Sequence, residues 1–119
     1  GYNATKSVVA SFTRASDGTI NIGTINFSVD DSKLYDASAS GSGILDGLRD
    51  GTGAQTASGT YSVATLDVSA LSDSAADLTT LEEYIRGVDA AIAEITTAAA
   101  SLGSTKKRIG LQQTFVKAL

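Results

Sequence analysis

Ser104-Thr105-Lys106-Lys107 has the Ser-x-x-Lys spacing, in which a lysine on the next helical turn takes the hydroxyl proton and leaves the serine oxygen nucleophilic. The companion motifs of that chemistry are absent, and the surrounding pattern is that of a solvent-facing or partner-facing helix, not a cleft. Gly41-Ser42-Gly43-Ile44-Leu45-Asp46-Gly47 comes near a dinucleotide loop, but Asp46 stands where the third glycine belongs and no strand-helix-strand unit encloses it. Val29-Asp30-Asp31-Ser32 offers carboxylates without the alternating oxygen ligands and closing Glu of a calcium loop. Asn3-Ala4-Thr5 and Asn26-Phe27-Ser28 fit the N-glycosylation sequon, as chance allows where Ser and Thr are frequent. His and Cys are both absent, which removes the commonest general base, thiolate metal ligands and disulfides. No acid/base constellation can be assembled, so the expectation is a non-enzyme with no cofactor and no metal.

The 119 residues fit one ordinary domain or part of a larger one, and 42% hydrophobic residues with a mean hydropathy of +0.07 lie in the globular range. A net charge of −4 and a pI near 4.5 argue against nucleic acid, whose phosphates need clustered Lys and Arg. No apolar run approaches the roughly 18 residues of a membrane span. Gly1-Tyr2-Asn3 opens without Met or a signal pattern, and Lys117-Ala118-Leu119 ends inside a helical pattern. Both ends read as cuts in a longer protein.

The elements divide the chain in two, an α+β arrangement. Residues 1–72 are rich in Gly, Ser, Thr and Asp and read as short strands and loops. Residues 6–13 and 24–29 alternate as strands, residues 19–22 as a short return strand, and Asp17-Gly18 supplies hairpin-turn chemistry. Residues 61–68 alternate as a further half-buried strand. Residues 41–59 read as loop, with Ile44, Leu45 and Leu48 predicted to form a helical turn or two that anchors it. The Gly51 to Gly59 stretch is expected to tolerate deletion.

From residue 73 onward the chain reads as one long helix. Leu78, Leu81, Ile85, Val88, Ile92, Ile95, Ala99, Leu102, Ile109 and Val116 recur at 3,4 spacing, interrupted only by Lys106 and Gln113. A 3.5-residue apolar repeat of this length indicates a coiled-coil seam. About 42 residues would span roughly 63 Å. Lys106 and Gln113 either set register and partner choice or mark where the seam opens. Two start signals compete: Ser72-Asp73-Ser74, and Thr80 with Glu83 at capping-box spacing. Acidic residues gather in the first half and Lys106, Lys107, Arg108 and Lys117 in the second, as the helix dipole favours. Gly87, Gly103 and Gly110 each cost about 1 kcal/mol in a helix interior. Gly103 and Gly110 flank the seam, and with the run of alanines they predict neighbours on more than the seam face.

Val88-Asp89-Ala90-Ala91-Ile92 and Ala98-Ala99-Ala100-Ser101-Leu102-Gly103-Ser104-Thr105-Lys106-Lys107-Arg108-Ile109 resemble the C-terminal helix of the bacterial flagellin core domain. Leu34-Tyr35-Asp36-Ala37-Ser38 and Tyr61-Ser62-Val63-Ala64-Thr65-Leu66-Asp67-Val68 are similar to the variable region and exit strand of the alphaproteobacterial type. Gly110 departs from the family, many of whose members carry an acidic residue there. The resemblance implies an extracellular, self-assembling structural subunit of the flagellar filament that supports motility. Residues 1–72 would be the outer, variable region and 73–119 the core helix. The implied partners are other flagellin subunits, the N-terminal flagellin helices that lie outside this sequence, an export chaperone and a cap protein. Nucleic acid and membrane are not among them. The implied packing positions are the ten seam residues together with Gly103 and Gly110. The rival reading is a flagellin-like surface protein that binds a polysaccharide or host receptor, with Tyr2, Tyr35 and Tyr61 as the aromatics available for stacking.

Overall fold

The computed structural model describes residues 5–38 and 41–119. The chain divides into two compact units, one made of the N-terminal hairpin with Ala99–Leu119, the other of Asp31–Ala98. The architecture is α+β: an antiparallel hairpin of β1 (Thr5–Arg14) and β2 (Ile20–Ser28), then a single helix α1 (Ala75–Ala118).

In the first unit, the hairpin turn follows from local chemistry. Gly18 sits at φ +89°, in the left-handed region that glycine occupies without a Cβ penalty, and the Asp17 carboxylate accepts the Thr19 N–H at 2.9 Å. The two segments expected at 19–22 and 24–29 are one strand, because Gly23 between them pairs with Ser11 and lies directly over its side chain. A β-bulge between Val9 and Ser11 inserts Ala10 into β1. Side chains alternate along a strand, so the extra residue shifts Phe12 onto the face of Val9. Val9, Phe12, Ile20 and Ile22 consequently share one exposed face, while Val8 and Ile25 occupy the other. That second face meets the helix, where the Gln112 amide donates to the Ala10 carbonyl.

The second unit contains no strand among its described residues. Its loop is organised by turns: Ile44 and Leu45 N–H donate to Lys33 and Leu34 carbonyls, and Gly47 N–H closes onto Gly43. The helical turns expected of Ile44, Leu45 and Leu48 are therefore corrected to a hydrogen-bonded turn at residues 44–46, with Leu48 exposed beyond it. Arg49 forms isolated bridges with both Gln55 and Tyr61. The strand expected over residues 61–68 is therefore corrected to one bridging residue, Tyr61, followed by a 3-10 turn at Val63–Thr65. Ser62 and Thr65 hydroxyls bond to each other across that turn, and Ala64 N–H reaches the Leu45 carbonyl. These local bonds compete with strand pairing, as Ser and Thr side chains often do.

The helix starts at the earlier of the two candidate signals. Ser74 Oγ accepts the Asp77 N–H, and the Asp77 carboxylate accepts both the N–H and hydroxyl of Ser72. Thr80 lies inside the helix with its hydroxyl turned back to the Ala76 carbonyl. Helical assignment runs unbroken through Gly87, Gly103 and Gly110 to Ala118.

Candidate assembly face

In the second unit the helix buries a face made of small residues. Gly87, Ala91 and Ala98 are buried at spacings of four and seven, and Ala91 and Ala98 cluster with Ile44, flanked by Val63. Burying Ile44 contributes about 1.5–3 kcal/mol. The Tyr61 ring lies against Gly87, stacks at a tilt on Tyr84 with centroids 5.0 Å apart, and donates its hydroxyl to the Glu83 carbonyl. Burial, reinforced by the Glu83 charge, pushes the Tyr61 phenol above its usual pKa. Gly53, at φ +89°, brings the loop onto the Arg86 carbonyl, and the Arg86 guanidinium donates to the Gly51 carbonyl. Two of the glycines costly to the helix or loop are thus explained by close approach: Gly87 and Gly53 leave no room for a side chain.

Arg49 joins loop to helix. Its side chain is wholly buried and paired through both terminal nitrogens with the Glu94 carboxylate, at 2.6 and 3.2 Å. The same nitrogens donate to the Gly53 and Ile44 carbonyls at 2.8 and 2.9 Å. Sequence reasoning missed this residue, since an arginine between Leu48 and Asp50 in a Gly-rich stretch has the pattern of a solvated loop. Its partner lies 45 residues away, and no local spacing signals it.

The seam positions lie beside the buried face and not on it. In the second unit Leu78, Leu81, Ile85, Ile92 and Ile95 are exposed, Ile92 at 57%, and Val88 is half-buried. In the first unit Ala99, Leu102 and Val116 are exposed and Ile109 is half-buried. Apart from its chain neighbours and the adjacent helix backbone, a β-carbon placed on Gly103 or Gly110 meets no atom within 4 Å among the described residues, so none of these occupies the space those glycines leave. Val8, Ala10 and Ile25 of the hairpin and Ile109, Gln112 and Val116 of the helix line an open groove of about 410 Å³, within the size range of ligand pockets. Lys106 and Gln113 line a neighbouring groove with Phe27, Leu102 and Gly110.

The candidates for chemistry separate. Ser104 and Lys107 are exposed on the helix surface. Residues 41–47 make a tight turn in which the Asp46 carboxylate accepts the Gly43 and Asp36 N–H groups. Asp30–Ser32 is a 3-10 turn, and the described residues hold no cluster of three metal-ligating side chains. Asn26 is exposed and accepts the Ser7 hydroxyl, while Asn3 and Tyr2 lie outside the described residues. Tyr35 is exposed, but Tyr61 is buried and unavailable for stacking on a sugar. No described helix is long and apolar enough to cross a membrane.

No family model matches the chain, and no solved structure matches it. Flagellin C of Rhizobium meliloti (strain 1021) is 34% identical over 126 aligned positions, which cover 94% of the chain. The chain spans 38% of the length of that relative. The likeness extends through hairpin, loop and helix alike, and it supports an alphaproteobacterial flagellin-like chain.

Proposed function

We propose that this chain is part of a structural, non-catalytic subunit of the bacterial flagellar filament, extracellular and in the service of motility. The observation that carries the reading is the apolar stripe left exposed along α1 in a flagellin-like chain. Leu78, Leu81, Ile85, Val88, Ile92, Ile95, Ala99, Leu102, Ile109 and Val116 would form the packing face, with Gly103 and Gly110 allowing close approach of another helix. Such a stripe is costly in water and is stabilised by burial against a partner. The partners are other copies of the flagellin subunit and its N-terminal helices, with an export chaperone and a cap protein in the assembly route. Residues 1–72 serve as the outer region and 73–119 as the core helix.

Electron microscopy of the full-length protein under assembly conditions tests the proposal. Filaments are the expected result, and a monodisperse monomer under every assembly condition would overturn it. The surface-binding alternative has lost one of its aromatics, since Tyr61 is buried against Gly87.

A further inference from the structure

We infer that Arg49 makes the order of the 43–61 loop conditional on the helix, so that the loop closes only where Glu94 is already presented to it. The loop brings two carbonyls, Ile44 and Gly53, to the guanidinium, but these leave its positive charge unneutralised. Both oxygens of the only carboxylate paired with it among the described residues come from α1. A cation removed from water without a counter-charge is strongly disfavoured, so the closed loop is unstable until Glu94 is in place. The backbone of Arg49 is equally committed: its N–H donates to the Tyr61 carbonyl and its carbonyl accepts the Thr60 N–H, which ties the interior of the loop to its C-terminal end. If Arg49 leaves for solvent, it takes with it the bonds to Gly53, Ile44 and Glu94. Apolar burial offers little substitute, because Leu48 is exposed and Ile44 and Tyr61 are the loop's buried hydrophobic residues. The device is a charge-operated pin: the loop follows the helix, and the helix does not need the loop.

Limited trypsin digestion of the 119-residue chain reads the pin directly, because trypsin cuts after Arg49 only when that residue is released. In the unsubstituted chain cleavage after Arg49 is expected to be at least tenfold slower than after Arg14, which lies exposed beside the hairpin turn. Glu94→Gln should raise the rate after Arg49 at least tenfold while helical circular dichroism stays unchanged. The double variant Arg49→Met with Glu94→Leu replaces the pair by apolar groups and should restore protection, read as slow chymotryptic cleavage after Tyr61. Fast cleavage after Arg49 in the unsubstituted chain, or unchanged protection in Glu94→Gln, overturns the inference. So does a Glu94→Gln chain in which the loop opens only together with loss of the helix.

Discussion

Tyr61 covers Gly87 so closely that a β-carbon at position 87 would lie 2.6 Å from the phenol oxygen and 2.7 Å from the ring. Gly87→Ala gains about 1 kcal/mol of helix propensity. The ring cannot retreat freely, held as it is by Tyr84 and the Glu83 carbonyl, and overpacking costs about 1–3 kcal/mol. The steric cost should win, lowering the melting temperature of the chain. A rise in melting temperature for Gly87→Ala would mean that the ring moves aside without loss.

Gly103→Ala and Gly110→Ala should do the opposite. Beyond its own stretch of helix backbone, neither added methyl comes within 4 Å of a described residue, so each substitution should stabilise the helix by about 1 kcal/mol. Thermal melts followed at 222 nm check this. In full-length filaments the same substitutions are expected to weaken assembly if another helix approaches at those positions, and filaments of undiminished stability would place the partner elsewhere.

Ile92→Asp and Leu102→Lys separate folding from assembly. Both residues are exposed in the chain, at 57% and 44%, so their replacement should change chain stability by no more than about 0.5 kcal/mol. In the full-length protein each puts a charge on the proposed packing face and should sharply reduce filament yield in sedimentation. Normal polymerisation of both variants would remove the stripe from the assembly interface.

Acid should loosen the chain through its aspartates. The Ser42 hydroxyl, with the Ser38 N–H and Lys33, holds the Asp36 carboxyl well below its ordinary value of 3.8. Hydroxyl bonds from Thr52 and Ser72 lower Asp50 and Asp77 in the same direction. A depressed folded-state pKa contributes stability that is present above the unfolded value and lost as pH falls through the folded one. The melting temperature should therefore hold between about pH 7 and 5 and decline below about pH 4, with a shallower decline in Asp36→Asn. A flat profile down to pH 2 would show that these carboxylates are as well solvated in the folded chain as in the unfolded one.

The Gly51 to Gly59 stretch reads in sequence as a dispensable loop, yet it supplies the Gly53 carbonyl to Arg49 and packs on Arg86. Its deletion is expected to expose Arg49 and destabilise the second unit, which chain melts would register as a lower transition temperature.

What the sequence by itself determined is what local geometry decides. The hairpin follows from alternation and from Asp17-Gly18, whose turn needs no distant partner. The helix follows from a sustained repeat and from caps within a few residues of its start, at Ser72, Ser74 and Asp77. Tertiary structure alone decided which helix face the chain covers. The large residues of the 3,4 repeat draw attention in sequence, but the loop can approach closely only where the helix is small, at Gly87, Ala91 and Ala98. It also turned residues 61–68 away from a strand: Tyr61 packs on Gly87 and bridges Arg49, and no strand among the described residues of that unit extends the bridge into a ladder. Arg49 is the extreme case: a charge in a polar loop becomes the most buried large side chain described, because Glu94, 45 residues on, comes within 2.6 Å and the Gly53 and Ile44 carbonyls accept from the same terminal nitrogens.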